Sequence, residues 1–292
     1  MNIKKLIENE FCRNIGFLSE QDQEKLLNSR MAVAGAGGVG GLHILTLARL
    51  GVGRFTIADP DTFEAANVSR QFGAARPTFD RNKAEVLAEM VKDINPDADI
   101  RIFTEGVTND NIESFLTDAD IFVDGIEFFE IEMRRNLFQK AYQKNIYAIT
   151  SAPLGFGSTL QIFAPNGMTF DQYFGIKEEQ SYEEKIAFFA AGLAPNPYHI
   201  KYMDLSKVSF SRRKGPAVAP ACTLAASLLG TEVVRIITKK GPIHPVPRYL
   251  QYDMLKRKYK YRSLWLGGKN PLHRLKSAII LGKIKKQLRA DA

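Results

Sequence analysis

Apolar and polar positions over the first 150 residues follow two alternating rhythms. Short runs rich in β-branched residues, at 31–34, 54–58, 100–104, 121–123 and 146–150, read as strands. Between them, residues near 39–50, 82–94, 109–116 and 129–144 repeat their apolar positions with helical period. Parallel strands need crossover connections, so this order predicts an α/β fold: a Rossmann-like, doubly wound, mainly parallel sheet with helices on both faces.

Beyond residue 150 the rhythm changes. STLQIFAP predicts a strand of an antiparallel C-terminal extension. Residues 165–220 are rich in Pro, Gly, Phe and Tyr and show one helical period, near 181–191. That stretch is expected to be a substrate loop or a weakly ordered insertion. An apolar helix follows in CTLAASLLGTEVVRIITKK and stops at Gly241 and Pro242. RYLQYDMLKRKYKYRSL alternates like a hairpin, and NPLHRLKSAIILGKIKKQLRA opens with Asn270 and Pro271 as a basic amphipathic helix.

Composition narrows the class. With 45% hydrophobic and 25% charged residues the chain reads as an ordinary globular protein. No apolar run reaches the roughly 18 residues of a membrane span, and MNIKKLIENEFCRN lacks a secretory pattern, so a cytoplasmic location is expected. The two cysteines, Cys12 and Cys222, cannot build a four-thiolate site within one chain, and no zinc is expected. The net charge of +8 is uneven: residues 239–292 hold 15 of the 40 Lys and Arg but 2 of the 32 Asp and Glu, a local excess of 13. Residues 1–238 keep 25 basic and 30 acidic side chains.

GAGGVG, residues 35–40, follows the first strand and opens a helix. Gly35 makes the turn, Gly37 lets backbone N–H groups approach a phosphate, and the helix N-terminus adds partial positive charge. Asp59 ends the second strand about 20 residues on, where a carboxylate accepts hydrogen bonds from ribose hydroxyls. These features predict a nucleotide site and leave NAD, FAD and ATP open. The next stretch, DPDTFEAANVSRQFG, places Asn67, Arg70 and Gln71 in a loop beyond Asp59, and Lys83 opens the following helix. Hydride transfer gains little from two cations beside the nucleotide. Departure of pyrophosphate is stabilised by them. ATP is therefore favoured, with an NAD-dependent oxidoreductase as the competing reading.

The blocks RMAVAGAGGVGG, IADPDTFEAANVSRQF, RNKAEVLAEMVKDINPD and DIFVDGIEFFEIEMRRNLFQKA resemble successive motifs of the ThiF/MoeB-like superfamily, bacterial relatives of ubiquitin-activating enzymes. The resemblance covers residues 11–165 and resumes at GPAVAPACTLAASLLGTEVVRIITKKGP. It implies ATP and Mg²⁺ as cofactors and adenylation of a carboxylate, giving an acyl adenylate and pyrophosphate. It further implies that Gly35, Gly37, Gly38 and Gly40 cradle the phosphates, that Asp59, with Asp61 beside it, holds the ribose, and that Asn67, Arg70, Gln71 and Lys83 surround the triphosphate. CRNI resembles the family's N-terminal element, whose arginine, here Arg13, reaches the triphosphate of a partner subunit; a homodimer follows. The expected organisation is a helical arm at 1–29, a nucleotide-binding core at 30–164, a substrate or crossover region at 165–220, a returning helix and hairpin at 221–266, and a basic helix at 267–292.

Two departures qualify this resemblance. Where the family reads Asp-x-x-Asp-Asn, this chain reads DGIEF, with Asp124 as a nucleotide contact, Glu127 as the candidate Mg²⁺ ligand and Phe128 in place of Asn. Glu keeps a hard oxygen donor but displaces it. The result is either a rebuilt metal site or a regulatory lineage that binds nucleotide without turnover. The paired Cys-x-x-Cys motifs and the crossover-loop cysteine are also missing, so Cys222 is expected as a core or cap residue and the chemistry to end at adenylation. The implied substrates are a carboxylate on a ubiquitin-like sulfur carrier, on a ribosomally made peptide, or on a modified tRNA base. In 165–220 the aromatics with Arg212, Arg213 and Lys214 suit an extended peptide, or else form the core of a subdomain. The basic helix suits nucleic acid, an anionic membrane surface or an acidic partner, or is a solvated face.

Overall fold

A computed structural model describes residues 3–291. Its sheet has eight strands: β1 (Arg30–Ala34), β2 (Arg54–Ala58), β3 (Asp99–Phe103), β4 (Ile121–Asp124), β5 (Tyr147–Leu154), β6 (Gly157–Phe163), β7 (Arg248–Asp253) and β8 (Lys258–Ser263). They lie in the order β3-β2-β1-β4-β5-β6-β7-β8. Pairings from β3 to β5 are parallel, and those from β5 to β8 antiparallel. This is the mainly parallel sheet with an antiparallel extension that the alternating rhythm predicts.

Helices α1 (Ile3–Glu8) and α2 (Glu20–Asn28) precede β1. The crossovers are α3 (Gly38–Arg49), α4 (Lys83–Ile94), α5 (Ile112–Phe115) and α6 (Ile131–Gln143). Helices α7 (Phe170–Phe174), α8 (Tyr182–Leu193) and α9 (Ala219–Thr238) lie between β6 and β7, and α10 (Pro271–Asp291) follows β8. The pleat sends alternate residues to opposite faces. Met31 and Val33 of β1 enter one core with Ile44, Leu87 and Leu229; Ala32 and Ala34 enter the other with Leu137, Phe138 and Ile186. Because β2 and β4 flank β1, the chain reverses direction there and leaves a crevice beyond the carboxyl ends of β1 and β4.

Several elements differ from the sequence-based expectation. The helix expected over 109–116 shrinks to Ile112–Phe115, because Thr108 and Asn111 bond each other's backbone N–H at 2.8 and 3.3 Å and hold a turn. Residues 165–220 contain α7 as well as α8: Thr169 and Gln172 form a capping box, and Gly175 ends α7 in the left-handed region. Five residues are too few to show a period. Phe170, Tyr173, Phe174 and Phe189 are buried, with Phe170 and Phe174 ring centroids 4.5 Å apart, so these aromatics form a core. Helix α9 is, by length and composition, apolar enough to cross a membrane, contrary to the expectation that no run would be. In this fold Ala225, Leu229 and Val233 are buried under it while Thr223, Ser227 and Thr231 make its exposed stripe.

Candidate nucleotide site

The glycine turn between β1 and α3 sits in the crevice, and its glycines answer different demands. Gly35 has φ of +90°, and a Cβ there would strike the carbonyl of Gly125. A Cβ on Gly40 would strike the Gly35 carbonyl. Gly125, just past β4, packs back against the same atoms: its Cβ would lie 2.7 Å from Gly35 O. These three glycines bring turn, helix and strand end together. Gly37 and Gly38 have ordinary space: a methyl group on either would find its nearest side-chain atoms at 3.6 Å (Gln71) and 3.5 Å (Arg70 and Cys222) respectively. Helix α3 starts at Gly38 with no side-chain cap, which leaves first-turn N–H donors for a ligand.

Asp59, expected from the sequence to meet a ribose, is buried at the end of β2. Its Oδ2 accepts from Ala36 N–H at 2.6 Å and its Oδ1 from Asp61 N–H at 2.9 Å, so the carboxylate ties the glycine turn to the end of β2. Burial pushes its carboxyl above the usual range, against the pull of those N–H groups and of Lys83. Each oxygen keeps a lone pair. The Lys83 ammonium is buried and pairs with the exposed Asp61 carboxylate at 2.9 Å.

The loop after β2 closes over the turn. Asn67 Oδ1 accepts from Glu64 N–H at 3.0 Å. Gln71 is buried beside Gly37, and its Oε1 has no hydrogen-bond partner. Such a buried orphan acceptor fits a donor supplied from outside the chain. Arg70 lies against Gly38 and Cys222, with Nη1 donating to Ala66 O at 3.2 Å. Cys222 itself is buried at the start of α9, and burial pushes its thiol up to about 11, as a core residue requires.

Past β4, Asp124 and Glu127 part company. Asp124 is 4% exposed, and Arg134 Nε lies 3.2 and 3.0 Å from its two oxygens. Arg134 also donates to the carbonyls of Ile126, Glu127 (3.1 Å) and Phe128 (3.3 Å), and its guanidinium lies 4.7 Å from the Phe189 ring centroid. Asp124 thus anchors the loop, whereas the Glu127 side chain is exposed. Phe128 meets Phe129 edge to face and lies tilted against Phe189, at 5.1 and 5.4 Å between centroids. Among the described residues no three His, Cys, Asp or Glu side chains converge as a metal-binding set.

Arg13 lies elsewhere. It sits in a short 3₁₀ turn, Cys12–Asn14, where Asn14 Nδ2 donates to Gln23 Oε1 at 3.0 Å and to Leu50 O at 3.5 Å. That is the far end of α3, about 18 Å of helix from the glycine turn at 1.5 Å per residue. Sequence reasoning alone misses Gly125 and Arg134. Gly125 directly follows the last β4 aspartate, but only the packing of β4 against the glycine turn gives that position meaning.

The chain is similar to known proteins in sequence and in fold. The ThiF family model matches residues 11–274. The sulfur carrier protein ThiS adenylyltransferase of Escherichia coli K12 is 29% identical over 143 residues, 49% of this chain and 56% of its own. The tRNA threonylcarbamoyladenosine dehydratase of Bacillus subtilis is 35% identical over 106 residues, 36% of this chain and 42% of its own. The chain spans about half the length of these curated relatives. Among solved structures, E. coli MccB with ATP superposes with a TM-score of 0.65 at 19% identity, covering 88% of this chain and 71% of that one. PaaA does so with a TM-score of 0.65 at 18% identity, covering 90% and 82%. With the match running through nearly the whole described sheet, the chain belongs to the ThiF family, in the superfamily of E1-like adenylyltransferases.

Proposed function

We propose that this protein uses ATP to adenylate a carboxylate on a small protein or peptide. The observation that carries the reading is the crevice itself: an uncapped α3 N-terminus with Arg70 against Gly38, Lys83 beside Asp59, and an unpaired Gln71 oxygen. In this reading α3 N–H groups take phosphate oxygens, and Asp59 and Gln71 accept from ribose hydroxyls. Arg70 and Lys83 balance charge on the departing group. A carboxylate oxygen attacks the α-phosphorus, the bond from that phosphorus to the α–β bridging oxygen breaks, and pyrophosphate leaves with the electron pair. Glu127 would hold Mg²⁺, whose charge would shield the phosphates. Arg134 fixes the loop that carries Glu127. With Cys222 buried and its thiol raised, the acyl group passes to a nucleophile outside this chain.

The same reading makes the protein a homodimer. Arg13 is too far from its own crevice, and its neighbours Ile15 and Phe17 are 37% and 90% exposed, as are Val68 and Phe72 (56% and 54%) beside Arg70. Apolar side chains flanking a cation on one copy, and flanking the nucleotide loop on another, suit a contact that delivers Arg13 in trans. ThiS adenylyltransferase and the MccB structures with MccA support a small-protein or peptide carboxylate. The tRNA dehydratases support a tRNA carboxylate as the second reading. The test is ATP–pyrophosphate exchange with peptides ending in a free carboxylate or in an amide. Exchange with the first and none with the second is expected. ATP binding without exchange by any carboxylate peptide, carrier or tRNA would instead favour the regulatory lineage.

A further inference from the structure

Large apolar side chains gather on the outward face of α10 and the turn before it. Trp265 is 68% exposed, Leu266 42%, Leu272 57%, Leu275 58% and Ile279 53%. Leu272, Leu275 and Ile279 recur at i, i+3 and i+7 and share one side of the helix. His273, Ser277 and Ile284 occupy the opposite side and are buried on the core. The turn is held by Asn270: its Nδ2 donates to Trp265 O at 3.0 Å, and its Oδ1 accepts from Leu272 and His273 N–H at 3.0 and 3.1 Å. Trp265 is thereby fixed at the head of the apolar stripe. Farther along, the same side of α10 continues with exposed Lys283 and Lys286, and Arg274, Lys285 and Arg289 flank it. On β8, the strand before the turn, Lys258 and Arg262 are exposed as well.

The occupant of this face must be apolar and anionic at once. A second copy placed symmetrically would cover the stripe but bring together two regions that each carry 13 excess positive charges. A nucleic acid would meet the charges and the Trp265 ring but leave Leu272, Leu275 and Ile279 in water. A bilayer with anionic headgroups satisfies all of them, with the aliphatic side chains at the acyl boundary, Trp265 at the interface and the basic side chains among the headgroups. We propose that the outward face of α10, with Trp265 and Leu266, docks peripherally on an anionic lipid surface.

Trp265 is the sole tryptophan and reports directly on its own surroundings. The protein is mixed with vesicles of phosphatidylcholine alone, or of equal parts phosphatidylcholine and phosphatidylglycerol, and followed by fluorescence and co-sedimentation. A blue shift and sedimentation with the anionic vesicles alone, both weakened by added salt, are expected. Leu275→Ser combined with Ile279→Ser should lower the apparent vesicle affinity at least about tenfold while the melting temperature holds, since both side chains are exposed. The proposal falls if anionic vesicles produce neither signal, or if the double variant binds them as the parent does. It also falls if the shift arises with transfer RNA and not with vesicles, or with rising protein concentration alone.

Discussion

Gly38 and Gly40 stand two residues apart in one turn, and the protein needs them for different reasons. A methyl group on Gly40 meets the Gly35 carbonyl, whereas one on Gly38 reaches only ordinary contacts at 3.5 Å. Gly40→Ala is therefore expected to destabilise the fold by about 1–3 kcal/mol through overpacking. Gly38→Ala should leave the melting temperature unchanged or raised, because Ala favours the helix, yet weaken ATP binding. Thermal melts beside nucleotide titrations separate the two, and equal losses of stability would refute the distinction. His43, fully buried on α3 beside the Ser151 backbone, gives a pH signature. Burial pushes its imidazole from 6.5 down to about 3. Between those values the unfolded chain binds the extra proton, so stability falls as the pH drops through that window. Melts from pH 7 to 4 should show His43→Leu losing less stability than the parent, and parallel curves would count against it. Gly35, Gly37, Asp59, Arg70 and Lys83 are legible as candidates because residues 35–83 carry them in a recognisable order, from the glycine turn through the end of β2 to the start of α4. Gly125 and Arg134 were hidden because their roles arise only when the end of β4 meets the glycine turn and α6 folds back over it.

Helix α9 shows why element-level reading succeeded in part. Its apolar run and Gly-Pro stop were plain, but whether Cys222 at its start would face solvent depended on how it packs over α3. In the fold Cys222 joins Leu42 and Ala226 in a small buried cluster, while Cys12 is exposed. Alkylation by iodoacetamide at pH 8 should modify Cys12 rapidly and Cys222 only on unfolding, as peptide mapping would show; rapid native labelling of Cys222 would reopen a nucleophilic role. Short elements were the least legible. Helix α7, with a capping box and a glycine stop around five residues, carries too little periodic signal, and its aromatic core is visible only once α8 packs on it. The link from Arg134 to Phe189 likewise joins α6 and α8 across a long stretch of chain.

At the scale of the whole molecule, the parallel half of the sheet builds the crevice and the N-terminal arm carries a cation away from it. If Arg13 completes the partner's site, two inactive variants should repair each other. Mixing Arg13→Ala with Arg70→Ala after subunit exchange should restore about a quarter of parental activity, because half of the dimers are hybrids with one intact site of two. No recovery, with dimers confirmed by sedimentation, would place Arg13 outside the site. The central claim is that the glycine turn holds ATP. Calorimetry with Mg²⁺·ATP and with NAD, on the parent and on Arg70→Ala, tests it most directly. The account predicts that the parent binds ATP and ignores NAD, and that Arg70→Ala weakens ATP binding without lowering the melting temperature. Binding of NAD in place of ATP, or indifference of ATP binding to Arg70→Ala, would contradict it.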